Sequence, residues 1–200
     1  LMDISYWSHA IAPVMALLML GGSMAAVRLL LGRVGVRRKV LGGVHSLLRR
    51  ADLGVLEIVV QLKGWWTPHR PGQFAFVTLL GGERPHPFTI SSSWTGDGRL
   101  QFIVKALGDH TAVLAQRLQV GDPVEVEGPY GRFDFEDEKS RQIWIGAGIG
   151  ITPFIARMKL LAAVPDGRII TLFHSTRQVD EDALAQLQAD ATAANVTLHV

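Results

Sequence analysis

The 200-residue sequence contains no cysteine, which excludes disulfide bonds, cysteine-bound zinc and iron–sulfur clusters. Charged residues make up only 19% of the chain, against 48% hydrophobic residues, so there is ample apolar material for a core. The 21 glycines follow no fixed period, which excludes a collagen-like chain. Redox chemistry in such a chain requires a bound organic cofactor or a metal held by other residues.

Positive charge is concentrated at one end of the sequence, although the net charge is only +2. The first fifty residues hold seven Lys and Arg against a single acidic residue, Asp3, and acidic residues outnumber basic ones afterwards. This distribution argues against an extended basic face for nucleic acid. The seven histidines show no metal-ligand spacing, so we predict neither a nucleic-acid partner nor a metal site.

An apolar segment dominates the first forty residues. Positions 11–27 carry no charge, and the stretch from His9 to Leu31 is long enough to cross the hydrocarbon core of a bilayer. Basic residues follow the segment: Arg28, Arg33, Arg37, Arg38 and Lys39. A signal peptide carries its positive charge before the apolar run, and a buried core helix is the other alternative. We predict a membrane helix and a basic segment over 1–39, in contact with lipid of the plasma or inner membrane, with the following domains on the cytoplasmic side.

Residues 40–138 alternate short apolar runs with turn residues, a pattern typical of an antiparallel β-barrel. The predicted strands are Val55–Leu62, Phe74–Leu79, Phe88–Ser91, Leu100–Lys105 and Pro123–Glu127. One short helix is predicted at about 111–118.

Residues 139–200 alternate strands and helices, which predicts a parallel α/β sheet. Strands are predicted at 141–146, 168–174 and 196–200, with helices at 154–163 and 180–191. Three strands are fewer than the five or six usual for such a domain, and the first residue is Leu1. We therefore expect a truncated α/β domain in a piece of a longer protein.

A glycine-rich turn joins the first strand of this region to its helix. Gly146, Gly148 and Gly150 let peptide N–H groups approach a phosphate at a helix N-terminus, and Pro153 suits the first helical turn. The spacing departs from G-x-G-x-x-G, because Ile151 follows the third glycine. A tight turn without a ligand is the alternative.

Two earlier segments are candidate cofactor sites. The run from His86 to Ser92 combines an aromatic ring with hydroxyls, which would suit a flavin, although an edge strand beginning at a proline is the simpler interpretation. The run from Lys105 to Thr111 combines a cation, a glycine and a helix-capping hydroxyl. It could clamp a phosphate or be an ordinary strand–turn–helix.

Five motifs occur in order: PGQF at 71–74, HPFTISS at 86–92, IVKALGDHT at 103–111, EGPYGRFDF at 127–135 and IGAGIGITPF at 145–154. Together they resemble the flavin-dependent ferredoxin–NADP reductase superfamily. The sequence more closely resembles the membrane ferric reductase and NADPH oxidase branch, in which HPFT replaces Arg-x-Tyr-Ser. The resemblance extends from about 40 to 200, and the apolar segment would correspond to the last membrane helix of that branch.

The resemblance implies a role for each matching residue. Phe88 is expected against the flavin ring and Thr89 near flavin N5, as the catalytic residue. Other residues expected to bind FAD are His86, Pro87, Ser91, Ser92, Lys105, Gly108 and Thr111. Those expected to bind the pyridine nucleotide are Gly146, Gly148, Gly150, Thr152 and Pro153. Arg177, at a strand end, is expected to meet the 2′-phosphate of NADPH, which favours NADPH over NADH.

The function implied is that of a membrane-bound flavin oxidoreductase that passes electrons from NADPH through FAD to haem, and then to a ferric or oxygen acceptor. The haems are expected in membrane helices upstream of this sequence. The alternatives are an anchored reductase component that serves a soluble protein partner, and a non-catalytic flavin-binding module. Because the closing strands are absent, we expect this piece alone to bind NADPH weakly.

Overall fold

The computed structural model of the chain describes residues 11–30, 38–50, 52–79, 84–105, 114 and 116–200. The chain divides between Arg37 and Arg38 into two units. In the first unit, helix α1 spans Ile11–Leu30. Among the described residues it is the one helix long and apolar enough to cross a membrane, and side chains such as Leu17 and Met19 are about 70% exposed. Length and composition support membrane insertion only weakly, because a signal sequence or a core helix meets the same criteria.

The second unit begins with a six-stranded antiparallel sheet. Its strands are β1 (Lys39–Arg50), β2 (Val55–Leu62), β3 (Phe74–Thr78), β4 (His86–Thr89), β5 (Arg99–Lys105) and β6 (Pro123–Tyr130). The spatial order is β4-β3-β6-β1-β2-β5. A single bridge between Ile90 and Phe102 joins the two edges, so the sheet closes as a barrel. The predicted antiparallel architecture is therefore confirmed.

Strand β1 was not among the predicted strands. Its sequence, KVLGGVHSLLRR, carries two glycines and lacks a strict alternation of apolar and polar residues. The strand forms because it pairs with both β2 and β6, so long-range pairing overrides its weak local preference. Of the helix predicted at about 111–118, residues 111–113 and 115 lie outside the described residues, and 114, 116 and 117 are helical.

Alternating burial along the strands decides which side chains face the barrel interior. In β2, Leu56, Ile58 and Val60 are buried while their neighbours are half-buried. They share one core with residues such as Phe102 and Val126. Each large apolar side chain buried in this way contributes roughly 1.5–3 kcal/mol, so the alternation fixes the outer face of the barrel as firmly as the inner one.

The α/β region contains a three-stranded parallel sheet, in the order β7-β8-β9. Its strands are β7 (Arg141–Ala147), β8 (Ile169–Ser175) and β9 (Val196–His199), and the crossover helices are α2 (Thr152–Ala163) and α3 (Glu181–Ala193). The predicted strand–helix alternation is confirmed. The predicted division into domains 1–39, 40–138 and 139–200 stays a prediction, and Arg38–Val200 forms a single unit.

An aromatic cluster links the chain leaving the barrel to this second sheet. The ring of Phe135 lies 5.0 Å from Trp144 and 5.8 Å from Phe154 between centroids, and Trp144 stacks on Phe154 at 5.4 Å. Phe133 adds an edge contact to Phe154. The residues after β6 therefore belong to the core of the α/β region.

The turn at Gly72 provides a test of how the barrel meets this linker. Gly72 has φ +96°, and a Cβ there would collide with the backbone carbonyl and ring of Phe133. Gly96, at φ +83°, has no atom within 4 Å of an added Cβ. We expect Gly96→Ala to cost only the backbone strain of about 1–2 kcal/mol. Gly72→Ala is expected to cost about 1–3 kcal/mol more, from overpacking. Denaturant unfolding measures both variants, and equal losses would contradict the contact with Phe133.

His69 predicts a pH dependence of stability. Its side chain is 4% exposed and its Nε2 lies 2.9 Å from the carbonyl oxygen of Ser92. Burial lowers the pKa of His69 below 6.5, an effect that the Ser92 carbonyl only partly offsets. Below pH 6.5 the unfolded chain therefore takes up a proton that the folded chain does not. We expect the free energy of unfolding to fall as pH decreases from about 6.5 toward that lowered pKa.

The measurement for His69 compares the chain with the His69→Gln variant. Unfolding curves between about pH 7.5 and pH 5 should show a smaller loss of stability for the variant. The other histidines contribute equally to both proteins and cancel in the comparison. Identical slopes for the two proteins would show that His69 does not remain neutral in the fold.

Candidate functional site

A cleft of about 370 Å³ lies between the outer face of the barrel and the α/β region. On the barrel side it is lined by Leu48, Arg50, Val55, Glu57, Gln101, Ile103 and Lys105; on the other side, by Gly148, Ile149, Ile155, Lys159, His174, Thr176, Gln178 and Asp180, among others. Gly148 and Thr176 directly follow β7 and β8, so the cleft lies at the carboxyl ends of parallel strands. Ligands of open α/β sheets bind at this edge.

The three predicted glycines of the turn have different surroundings. A Cβ on Gly146 would lie 3.2–3.3 Å from Ile151 and Phe154, so this glycine allows the strand and the helix to pack closely. Gly148 has φ +50°, has no atom within 4 Å of an added Cβ and lines the cleft. Gly150 is also open. Of the three, Gly148 alone both has open space and lines the cleft, while Gly146 has a packing role.

Thr152 and Pro153 shape the turn. Thr152 is 3% exposed, and its hydroxyl donates to the carbonyl oxygen of Ile149 at 3.2 Å. Pro153 stands in the first turn of α2, where its lack of an N–H leaves no hydrogen bond unmade. Neither residue lines the cleft among the described residues, so both support the backbone near Gly148.

The register of β4 separates Phe88 from Thr89. Phe88 pairs with Ala75, which is fully buried inside the barrel, and Thr89 pairs with Phe74 on the outer face. Consecutive strand residues point to opposite faces, so Phe88 turns inward and Thr89 outward. The ring of Phe88 lies 6.4 Å from that of Phe102 in the barrel core. Contact of Phe88 with a flavin ring stays a prediction.

The remaining residues of this strand lie at the barrel margin. His86 is half-buried and its ring stacks on Phe88 at 6.4 Å, while Pro87 is exposed. Among the described residues, none of His86–Ser92 lines the cleft itself.

The segment after Thr89 nevertheless adjoins the barrel wall of the cleft. The N–H of Ser91 donates to the carbonyl oxygen of Gln101 at 2.8 Å, and the hydroxyl of Ser92 accepts from the N–H of Gln101 at 3.1 Å. The side chains of Gln101, Ile103 and Lys105 form that wall. Residues 89–92 therefore lie along the strand that faces the cleft.

Ser91 carries an unsatisfied polar atom. Its side chain is fully buried, and its Oγ has no hydrogen-bond partner among the described residues. Leaving a buried hydroxyl unpaired costs about 1–3 kcal/mol. A polar group of a bound ligand would remove this cost, so the residues present fit a cofactor beside this strand.

Two other predicted sites are only partly placed. Lys105 lines the cleft, whereas Gly108 and Thr111 lie outside the described residues. Arg177 is exposed and does not line the cleft in the described part of the chain, although its neighbours Thr176 and Gln178 do. The structure therefore brings together Lys105, Gly148 and the strand end after β8.

Most residues that line the cleft were not predicted as site residues, among them Lys159 and His174. Lys159 of α2 donates from Nζ to Oε1 of Gln101, and burial lowers the pKa of Lys159, opposed by the charges of Asp190 and Glu57. His174 has its Nδ1 3.1 Å from the carbonyl oxygen of Gly146. The only local sequence signal for Lys159 is its position within the apolar run FIARMKLLAA, and no such signal marks His174.

A polar network continues from Gln101 across the cleft. Its side-chain amide donates to Glu57 at 3.3 Å, and Arg50 donates to Glu57 at 2.9 Å and to Asp180 at 3.1 Å. Asp180 also caps α3 by accepting from the N–H of Ala183 at 2.8 Å. These contacts hold the barrel and the α/β region in one relative orientation.

Comparison with known protein families agrees with this geometry. Residues 67–135, which include β3 to β6, match the family model of the oxidoreductase FAD-binding domain. The chain is similar to a propane 2-monooxygenase reductase component from Mycolicibacterium goodii, with 27% identity over 111 residues, covering 54% of this chain and 32% of that protein. It is also similar to a flavohemoprotein from Bordetella pertussis, with 29% identity over 134 residues, covering 62% of this chain and 33% of that protein. The chain thus spans about one third of the length of these curated relatives.

Solved structures share the fold. The flavohaem-like FAD/NAD-binding domain of nitric oxide dioxygenase from Vibrio cholerae O1 biovar El Tor superposes with a TM-score of 0.68 and 22% identity, covering 80% of this chain and 73% of that one. Ferredoxin-NADP+ reductase from Plasmodium falciparum superposes with a TM-score of 0.65 and 18% identity, covering 82% of this chain and 70% of that one. These identities establish the fold only.

The predictions of an FAD-dependent oxidoreductase class and of FAD and NAD(P)H as its cofactors are confirmed by these comparisons. Assignment to the membrane ferric reductase and NADPH oxidase branch, and the role of each site residue, stay predictions. The match at residues 67–135, together with these relatives and the shared fold, supports a relationship of the chain to the ferredoxin–NADP reductase-like FAD-binding oxidoreductases.

Proposed function

We propose that this chain takes electrons from a nicotinamide dinucleotide and delivers them, through FAD, to a one-electron acceptor. The observation that carries the proposal is the cleft between the outer face of β5 and the open turn at Gly148. A strand proposed to contact the flavin and a turn proposed to contact the nucleotide thereby face the same cleft. No acid–base pair is required, because the cofactor supplies the chemistry.

FAD would be held by Lys105, which lines the cleft, and by Thr89 and Ser91 on the segment that adjoins its barrel wall. Thr89 presents its hydroxyl on the outer face, Ser91 has a buried hydroxyl without a partner, and Lys105 offers a cation for a phosphate. FAD, when bound, supplies the conversion of a hydride donor's electron pair into single electrons. Apolar side chains such as Ile103 and Ile149 line the same space and exclude water from it.

The nucleotide side would be held by the Gly148 turn and the end of β8. The open backbone at Gly148 and the N-terminus of α2 favour a negatively charged group. Thr176 and Gln178 supply polar side chains next to it. Arg177, exposed between them, is proposed to bind the 2′-phosphate, which makes NADPH the preferred donor.

The acceptor distinguishes two forms of the proposal. In the first form, α1 spans a membrane with the barrel on the cytoplasmic side, and electrons pass to haem and then to ferric iron or oxygen. The exposed apolar surface of α1 supports this form. In the second, the chain serves a soluble protein partner, which is supported by relatives that are reductase components of monooxygenases. Haem absorbance that follows flavin reduction in native membranes would identify the first form.

Flavin reduction tests the proposed function. We expect the full chain to bind FAD, and saturating NADPH without oxygen to bleach the visible flavin absorbance. Thr89→Val removes the outward hydroxyl but keeps the side-chain shape, so bleaching should slow about tenfold, or ~1.4 kcal/mol, while FAD is retained. Thr78→Val, on the outer face of neighbouring β3, is the control and should leave the rate unchanged.

Two outcomes would contradict this expectation in different ways. A chain that refuses added FAD would refute the flavin site altogether. A chain that binds FAD but is never bleached by NADPH would instead be a non-catalytic flavin-binding module.

Substitution at the open turn tests the nucleotide side. Gly148→Ala places a methyl group in the cleft, and we expect the Kd for NADPH to rise about tenfold, equivalent to ~1.4 kcal/mol. Gly167→Ala is the matched control, since Gly167 also has positive φ and open surroundings but does not line the cleft. Titration of flavin reduction measures both, with NADH expected to bind more weakly than NADPH. Equal effects of the two substitutions would remove Gly148 from the nucleotide site.

A further inference from the structure

Two adjacent tryptophans at one end of the barrel have opposite environments. Trp66 is 4% exposed and belongs to the barrel core, whereas Trp65 is 79% exposed. Burial of Trp66 fixes the backbone there and leaves the ring of Trp65 directed outward. An exposed indole is large and apolar and carries one N–H donor, a combination found where apolar and aqueous regions meet.

Trp65 lies beside the first residues of β1. The N–H of Lys63 donates to the carbonyl oxygen of Leu41 at 2.8 Å, and a Cβ on Gly64 would lie 3.2 Å from the side chain of Val40. Leu41 is itself 66% exposed. Two large apolar side chains are therefore exposed at the same end of the barrel.

Basic residues stand close in sequence to both apolar side chains, Arg38 before Leu41 and Lys63 before Trp65. Arg38 and Lys63 are both exposed. Lys39 forms an ion pair with Glu125 at 2.7 Å and so offsets the nearest acidic side chain on β6. We call Arg38, Leu41, Lys63 and Trp65 the barrel-end patch.

Other charged groups near the barrel-end patch have partners within the fold. Glu127 accepts from the hydroxyl of Tyr130 at 2.6 Å, and the guanidinium of Arg38 lies 5.2 Å from the centre of the same ring. The carboxylate of Asp97 accepts from the N–H of Arg99 at 3.0 Å. Its loop lies next to Leu62, whose N–H donates to the carbonyl oxygen of Gly98. The acidic groups are thus engaged locally. Lys63 is a solvent-exposed cation, and Arg38 is also exposed although its guanidinium contacts Tyr130 and donates to the carbonyl oxygen of Pro129 at 3.4 Å.

We propose that the barrel-end patch docks on the headgroup region of an anionic lipid bilayer, with Trp65 and Leu41 inserted and Lys63 and Arg38 near lipid phosphates. Tryptophan is enriched at membrane interfaces, and Lys and Arg near the surface are attracted to anionic lipid. Only seven residues separate the end of α1 from Arg38, so the patch is the part of the barrel nearest in sequence to the apolar helix. The inference rests on the proposed membrane insertion of α1.

The absence of cysteine makes a site-specific test straightforward. Trp65→Cys is labelled with an environment-sensitive fluorophore in the full chain, which is then reconstituted into bilayer discs of phosphatidylcholine with roughly one quarter phosphatidylglycerol. Quenching by spin-labelled lipid reports insertion of the label. The matched control is Val164→Cys, an exposed apolar position in the loop after α2.

We expect at least threefold stronger quenching at position 65 than at position 164, and a decrease toward the control value in discs of phosphatidylcholine alone. Adding Lys63→Glu to Trp65→Cys should reduce the quenching about twofold, because it reverses one of the two exposed cations. Far-ultraviolet circular dichroism of each variant confirms that the barrel is folded.

Several outcomes would overturn the proposal. Equal quenching at both positions, or none at position 65 in discs that contain the chain, would refute docking while leaving membrane insertion of α1 intact. A chain that never enters the discs would refute both insertion and docking. Bleaching of flavin by NADPH, measured on the same samples, reports on the electron-transfer function separately.

Discussion

Closure of the barrel at the bridge between Ile90 and Phe102 is the contact on which the candidate site depends. Strands β4 and β5 are the two edges of the sheet, and this bridge brings residues 89–92 beside the strand that forms one wall of the cleft. Phe102 is fully buried, so the barrel core holds the bridge in place. Because side chains alternate along each strand, filling the interior with Ile90 and Phe102 also directs Thr89, Gln101 and Ile103 outward. Core packing thus determines which groups a ligand in the cleft can reach.

The width of the cleft depends on a second set of contacts, made by charged and polar side chains. Lys159 reaches Gln101 from α2, and Arg50 joins Glu57 to Asp180 at the N-terminus of α3. The side chains of Arg50, Glu57 and Asp180 are only 12–22% exposed, so removing one partner would leave a poorly solvated charge. An apolar interface would resist sliding less, because hydrophobic contact is non-directional. Hydrogen bonds of fixed geometry hold the two walls at one spacing.

The sequence predicts the strands and the turn where the signal is local. Alternation such as that in β2 and the glycines between strands predict five of the six barrel strands, whereas β1 is not predicted. The strand–turn–helix around Gly148 is visible without a structure. The orientation of Phe88 could not be predicted from its motif, because it follows from pairing with Ala75. Arg50 and Asp180 are 130 residues apart, and neither has a local feature that marks it as a partner. The distinct roles of Gly146 and Gly148 likewise depend on which atoms surround each one.

Strand β1 connects the two surfaces to which function is assigned. Leu41, near its start, belongs to the barrel-end patch, and Leu48 and Arg50, at its end, line the cleft. Leu48 follows Leu41 by seven positions of extended chain, a distance of roughly 23 Å. With the patch on a bilayer, the cleft would stand above the headgroups and stay open to a water-soluble dinucleotide.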